Sequence, residues 1–238
     1  MSLNKKAFSL VELSIVLIII GLLVGGVASG SKLIKQSKLR AQVTQINDLV
    51  QAKNTFILTY DALPGDMDNA KDFFPSCTDA TSNDCNGNGD KIVTNDSSSD
   101  PGGENVRFPE HLMHAGIIGG SYTGSKATGN VYELGTSLIP AKLSGGGLSY
   151  RSHSAYGGTY NGFQLGLVNG VSMVLKSIVS PQDAYNIDKK YDDGLANSGD
   201  IITQDGSGDT GCITSNAYVL TTSTVSCRMW FDWQKEPI

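Results

Sequence analysis

The sequence predicts an α+β protein in which a long N-terminal helix, first membrane-spanning and then amphipathic, packs on a small, loop-rich antiparallel β-sheet domain. Three observations predict this class. Residues 7–28 are almost wholly apolar, apolar residues then recur at helical spacing up to about residue 60, and the rest of the chain is rich in glycine and turn dipeptides. We therefore expect one anchor helix and one domain of ordinary size.

The apolar run at residues 7–28 reads AFSLVELSIVLIIIGLLVGGVA and carries one charge, Glu12. As a helix it would be about 33 Å long, enough to cross the hydrocarbon core of a bilayer. A carboxylate inside such a helix costs about 2.5–3.5 kcal/mol and marks a partner or a function. The small residue Ala7 precedes the run, whereas a signal peptide has its cleavage site after it. Cleavage after Ala7 would keep the helix and make Phe8 a cationic chain end that can pair with Glu12.

Residues 5–23, KKAFSLVELSIVLIIIGLL, closely resemble the processing and methylation motif of type IV prepilins and type II secretion pseudopilins. The resemblance implies that a prepilin peptidase cuts between Ala7 and Phe8 and methylates the new amine of Phe8. It also implies that Glu12 pairs with that amine on a neighbouring subunit. Ala7 stands where this family more often has glycine. The alternative is a plain signal anchor with an incidental glutamate.

The same resemblance implies the domain organisation, the partners and the location. The expected parts are a leader peptide (1–7), a transmembrane and filament-core helix (8–28), its amphipathic continuation (29–62) and an exported globular domain (63–238). The partners are other pilin or pseudopilin subunits, the prepilin peptidase and an inner-membrane assembly platform. The chain would cross the bacterial inner membrane once, with its domain in the periplasm, before it enters a pilus or pseudopilus that can reach the cell surface.

A stripe of apolar residues predicts that the helix continues to about residue 60 and packs on the domain. The stripe consists of Leu39, Val43, Ile46, Val50, Ile57 and Tyr60, and the opposite face carries Lys38, Gln45, Asp48 and Gln51. A proline and a glycine in residues 62–66 would end the helix. The alternative is a separate soluble helix joined through a hinge at Gly30.

Charge and motif content argue against several functions. Residues 1–60 carry seven Lys or Arg and two acids, so the remainder has a net charge of −10 and no basic patch for nucleic acid. Four bases follow the apolar run and two precede it, which by count would keep the domain in the cytoplasm, but long domains translocate largely regardless of charge.

The sequence has no GxSxG, no GxxxxGK[ST] and no HExxH. We therefore predict no enzyme and no required cofactor.

The four cysteines form no CxxC and no Cys/His cluster of zinc spacing. An even number in an exported domain predicts two disulfides. Three connectivities are possible, and proximity in sequence favours Cys77–Cys85 and Cys212–Cys227.

A polar stretch suggests a Ca²⁺ site, because Asp84, Asn86, Asn88 and Asp90 fit the opening of a calcium loop. Asn95 replaces the bidentate glutamate at its twelfth position, so a solvated turn is the alternative. A second acidic loop resembles the calcium-binding region near the end of some pseudopilins, and a solvated loop is again the alternative. Its acids are Asp192, Asp193, Asp200, Asp205 and Asp209.

The remaining patterns predict short elements. We expect a helix over 108–117, strands at 162–168 and 171–175 joined by Asn169-Gly170, and a helix that begins after Ser180 and ends at Gly194. A last strand is expected within 216–225, and Trp230, Phe231 and Trp233 are expected in the core or at subunit contacts. The pair His111 and His114 has no third metal ligand in sequence reach, so we expect one exposed and one half-buried histidine.

Three functions are compatible with these patterns. The first is a structural subunit of a type IV pilus, and the second is a pseudopilin of a type II secretion system. The third is a monomeric, membrane-anchored, calcium-dependent binding module.

Overall fold

The computed structural model describes residues 9–77, 84–94, 102–129, 131–155, 158–170 and 172–231. Ala7, Phe8 and Trp233 lie outside the described residues. The helices are α1 (Leu10–Tyr60), α2 (Ala70–Phe73), α3 (Glu104–His114) and α4 (Pro181–Tyr191). The strands are β1 (Ile139–Pro140), β2 (Gly146–Ala155), β3 (Gly158–Asn169), β4 (Ser172–Lys176), β5 (Ile201–Asp205), β6 (Ile213–Thr214), β7 (Ala217–Tyr218) and β8 (Cys227–Phe231).

The long helix α1 is continuous over 51 residues. It begins after Ser9 and ends at Asp61, whose backbone is left-handed and whose N–H donates to the carbonyl of Ile57 at 2.8 Å. Because α1 runs through Gly30 without a break, the hinge alternative is wrong. At about 1.5 Å per residue the helix is roughly 77 Å long.

Six strands form one antiparallel sheet, and the predicted α+β class is confirmed. The strand order is β1-β2-β3-β8-β5, and β4 also pairs with β3. The last strand, β8, lies between β3 and β5, since Phe231 pairs with both Phe163 and Ile201. Strands β6 and β7 form a separate small hairpin.

The core lies between the second half of α1 and one face of the sheet. Val43, Ile46, Leu49 and Phe56 of α1 are buried in the same cluster as the inward side chains of β2, β3 and β8. A stack of aromatic rings supports this layer, in which Phe108 of α3 lies 4.5 Å from Tyr150 and 5.6 Å from Phe163, measured between ring centroids. This packing fixes the orientation of α1 relative to the domain.

The buried face of α1 differs from the predicted stripe. Val50 is only partly buried, and Gln42 is fully buried although the sequence pattern did not select it. The Gln42 side-chain oxygen accepts the backbone N–H groups of Lys142 (2.7 Å) and Leu143 (3.3 Å). Gln45, expected on the solvent face, donates to the Pro140 carbonyl at 2.8 Å. The loop after β1 therefore draws a polar edge of the helix inward, because its backbone groups need partners.

Three predicted elements are displaced along the chain. Helix α3 begins at Glu104, four residues before the predicted start, because the extended backbone of Gly103 opens it. The β3–β4 register pairs Asn169 with Ser172, so the turn comes one residue later than predicted. Residues 216–225 contain only β7, and the true last strand is β8. As predicted, Ser180 caps α4, its hydroxyl accepting the Asp183 N–H at 3.3 Å.

Two disulfides, Cys77–Cys85 and Cys212–Cys227, fit the predicted pairing. Their Cα atoms are 5.8 and 5.1 Å apart. The first ties the segment after α2 to the polar loop that begins at Asp84. The second ties the start of β8 to the hairpin β6–β7.

Candidate functional site

The first turn of α1 holds the carboxylate that the sequence singled out. Ser9 caps the helix, and its hydroxyl accepts the Val11 N–H at 3.3 Å. Glu12 completes a capping box, because its Oε2 atom accepts the Ser9 N–H at 2.8 Å. An anion at this position also interacts favourably with the helix dipole. The structure therefore gives Glu12 a local partner within its own chain.

The first half of α1 presents apolar side chains on all sides. Its large apolar residues between Leu10 and Ile34 are all at least half exposed. The most apolar 18-residue window has a mean hydropathy of 2.7 and no buried part, and α1 is the one helix among the described residues that is long and apolar enough to cross a membrane. A helix that is apolar all round needs cover from lipid or from other protein. The domain does not supply that cover.

Basic residues surround α1 where the apolar half ends. Lys32, Lys35, Lys38 and Arg40 are all exposed and lie within two and a half turns. Lys35 Nζ is 2.6 Å from a carboxylate oxygen of Asp183, at the start of α4. The Lys35 side chain is 58% exposed, so this ion pair contributes at most about 1 kcal/mol to stability. It does connect the exposed part of α1 to the edge of the domain.

The proposed calcium loop is organised around Asp66. One oxygen of this buried carboxylate accepts the N–H groups of Gly89 (2.9 Å) and Asp90 (3.2 Å), and the other accepts that of Lys91 (2.8 Å). Burial raises the pKa of Asp66 to about 6, although these backbone donors oppose the change. The loop thus directs N–H donors at an anion from its own chain.

The four predicted Ca²⁺ ligands also have partners. One side-chain oxygen of each accepts a backbone N–H, at 2.8–3.3 Å. The backbone N–H of Asn86 donates to Asp84, and that of Asp90 donates to Asn88, whose side-chain amide in turn donates to Asp90 Oδ2 at 3.1 Å. Ca²⁺ binding by Asp84, Asn86, Asn88 and Asp90 stays a prediction.

In the second acidic loop the structure brings Asp188, Asp192 and Asp193 together, with one oxygen of each within 4.8 Å of the others. Sequence analysis missed Asp188, which follows the buried Ile187 on α4 and has no exposed surface. Its oxygens accept the Gly194 N–H at 3.0 Å and the Tyr218 hydroxyl. Burial raises the pKa of Asp188 to about 6.

The other acids of this loop do not join the cluster. Asp205 Oδ1 accepts the Cys212 N–H at 2.8 Å, and Asp209 lies beside Ser177. The cluster therefore differs from the predicted set of five.

The two histidines do not form a metal pair. His111 is fully buried, its Nδ1 accepts the Gly65 N–H at 2.9 Å, and its Nε2 donates to the Cys85 carbonyl at 3.0 Å. Burial lowers the pKa of His111 to about 4, so it is neutral and both ring nitrogens are in use. His114 is partly buried, 3.6 Å from Glu110. The expectation of one exposed histidine is therefore wrong.

The fold and the uncovered apolar helix define a membrane-anchored α+β protein. A family model described as the prokaryotic N-terminal methylation motif matches residues 2–28. This motif is the prepilin signature of type IV pilins and pseudopilins, so the resemblance is confirmed over these residues. The motif implies a prepilin-peptidase substrate that assembles with other pilin subunits. No curated protein matches the chain, and no solved structure matches it.

Proposed function

We propose that the protein is a structural subunit of a type IV pilus or a related filament. It is inserted as a prepilin, cut between Ala7 and Phe8, N-methylated at Phe8 by a prepilin peptidase, and assembled through α1. The observation that carries the proposal is the combination of the methylation motif with a helix whose first half has no cover from its own domain.

Glu12 gives the assembly step its specificity. Its Oε2 atom accepts the Ser9 N–H, whereas Oε1 has no donor among the described residues. A neighbour's Phe8 amine can therefore pair with Oε1 while the helix cap stays in place. The attraction is strong because both groups lie among apolar side chains, where the effective dielectric constant is low.

The rest of the chain fits a passive structural role. We infer that the precursor spans the inner membrane with its domain in the periplasm, and that an inner-membrane assembly platform moves the processed subunit into the filament. The disulfide-bonded domain then faces outward. We propose no catalysis and no required cofactor, with Ca²⁺ as a candidate ligand of the acidic loops.

The test uses two matched substitutions in the first turn of α1. Glu12→Gln removes the charge but keeps an oxygen for the Ser9 N–H, whereas Ser9→Ala removes the serine hydroxyl and keeps the charge. We expect Glu12→Gln to be processed and yet absent from sheared filaments, and Ser9→Ala to be incorporated. Wild-type incorporation of Glu12→Gln would refute the pairing. Mass spectrometry that finds Met1 on the purified protein would refute processing.

The same motif is compatible with a pseudopilin of a type II secretion system. Deletion that abolishes secretion of folded enzymes, without loss of surface fibres, would favour this second candidate. A monomer that stays in the membrane, with neither phenotype, would favour a calcium-dependent binding module.

A further inference from the structure

We propose that the outer face of the sheet, on the side away from α1, carries a binding site for an oxyanion, a carboxylate or a phosphate group, formed by Arg151, Gln164 and Arg228. This site is separate from the helix surface that the proposed assembly uses.

The sheet register places the three side chains on one face. Successive residues of a strand point to opposite faces, and Tyr150, Phe163 and Met229 point into the core. Their neighbours Arg151, Gln164 and Arg228 therefore lie on the outer face. Gln164 is on β3, between Arg151 on β2 and Arg228 on β8.

Arg151 is held in place by its neighbours. Its Nε and Nη2 atoms both donate to Gln164 Oε1, each at 3.1 Å. Its guanidinium lies over the ring of Trp230, 4.6 Å from the centroid. Among the described residues, the guanidinium is thus positioned by an amide and an aromatic ring and by no carboxylate.

Neither arginine pairs with an acid among the described residues. Arg228 donates through Nη2 to Gln204 Oε1 at 2.9 Å, and both partners of the arginines are neutral amides. Burial lowers the pKa of Arg228, and burial together with the charge of Arg228 lowers that of Arg151. The domain as a whole has an excess of acids. Two half-buried cations close enough to repel each other, with no carboxylate beside them among the described residues, favour a bound counter-anion at this place.

Two buried donors on this face also lack an acceptor. Gln164 is fully buried, and its Nε2 atom has no hydrogen-bond partner in the described part of the chain. The orientation of this amide follows from chemistry, because its oxygen must face the two N–H groups of Arg151. Its Nε2 atom is then left without an acceptor among the described residues. The Nε atom of Arg228 is likewise buried without a partner.

The donor set selects the class of ligand. Guanidinium groups and an amide N–H all donate, and none of these atoms can accept, so the site suits an acceptor-only, negatively charged group. Arginine forks match the planar or tetrahedral oxygens of carboxylate and phosphate. Both arginines are partly exposed, so the anion can approach from solvent.

The test is thermal unfolding of the full-length protein in detergent, monitored by near-UV circular dichroism. The Tm in inorganic phosphate or in acetate is compared with the Tm in chloride at the same ionic strength and pH. A ligand at about ten times its Kd raises the Tm of a domain of this size by roughly 3–6 °C. We expect such a rise with phosphate, with acetate, or with both, and the stronger of the two identifies the preferred group. No rise with either anion would overturn the proposal.

Arg228→Gln separates an anion site from a merely structural arginine. We expect this variant to lose the anion-dependent rise and to melt no lower than wild type in chloride, because it relieves the repulsion with Arg151. Lys142→Gln, which removes an exposed base elsewhere, should keep the full response. A full response in Arg228→Gln would overturn the proposal. Should that variant fail to fold, calorimetric titration of wild type and Arg228→Lys with phosphate and acetate decides, and equal affinities in the two proteins would also overturn it.

Discussion

Substitution of Asp188 by asparagine tests the electrostatics of the domain. Asp188 has no exposed surface, and its carboxylate accepts the Gly194 N–H and the Tyr218 hydroxyl. Burial is the main cause that raises its pKa from 3.8 to about 6, and the hydrogen bonds oppose it. Asparagine has nearly the same shape, can accept from Gly194 and can donate to Tyr218, so the change removes the titration and keeps the packing.

The direction of the pH dependence follows from the two pKa values. Between pH 3.8 and about 6 the folded protein keeps the proton on Asp188 while the unfolded chain has lost it. Raising the pH through this window therefore lowers the free energy of unfolding, and the loss is complete above the folded pKa. With about 1.4 kcal/mol per pKa unit, the loss amounts to at most about 3 kcal/mol. Asp66, whose pKa is also raised to about 6, acts in the same direction.

The assay is chemical denaturation of full-length protein in detergent from about pH 3 to about pH 8, a range that brackets the unfolded-state and folded-state pKa values of Asp188. The free energy of unfolding of wild type should fall as the pH rises to about 6. In Asp188→Asn this fall should be smaller, by up to about 3 kcal/mol. Asp48→Asn, at an exposed position of α1, is the matched control and should keep the wild-type slope. Identical slopes for wild type and Asp188→Asn would refute the reasoning.

Three further substitutions test the packing of α1 and the second disulfide by denaturant unfolding. Phe56→Ala, at a fully buried position, should cost about 3–5 kcal/mol, whereas Leu58→Ala, 88% exposed, should cost little; equal effects would contradict the core described above. Gln42→Ala removes the acceptor of the Leu143 N–H and one of the two acceptors of the Lys142 N–H, the other being Gln45, and should cost about 1 kcal/mol; an unchanged midpoint would contradict that role. Replacing Cys212 and Cys227 together by serine opens a loop of 15 residues and should cost about 3 kcal/mol; an unchanged midpoint under oxidising conditions would contradict that contribution.

The parts of the fold that the sequence predicts well are those with local causes. The α1 helix, the cap at Ser180 and the turn near Gly170 each depend on residues close together in the chain, and the structure has all three. The insertion of β8 between β3 and β5 depends on pairing between distant segments, which no local pattern encodes. The apolar pattern of α1 also did not predict the whole buried face of the helix, because Gln42 is buried where it accepts hydrogen bonds from backbone groups far along the chain.

The candidate sites also divide into those formed by neighbouring residues, which the sequence predicts, and those formed by distant residues, which it does not. The processing motif and Glu12 are contiguous, so the sequence alone was enough to find them. Asp188 was missed because only the fold brings it to Asp192 and Asp193. The arginine site was missed because its residues lie on three strands, and a signal for it appears only once the register is known.

The two halves of α1 give the proposed assembly a physical reason for a charge inside the apolar segment. The second half is part of the domain core, so the first half extends from the domain in a fixed direction over about 38 Å, more than the roughly 30 Å of a hydrocarbon core. Lipid chains are as apolar as leucine and isoleucine, so transfer of this half from bilayer to filament gains little from the hydrophobic effect. Apolar side chains all round the helix also do not specify the position of one subunit relative to its neighbours along the helix axis. In the assembly that we propose, a single carboxylate in the first turn, paired with a neighbour's amine, would supply both the preference for the filament and the register of the subunits.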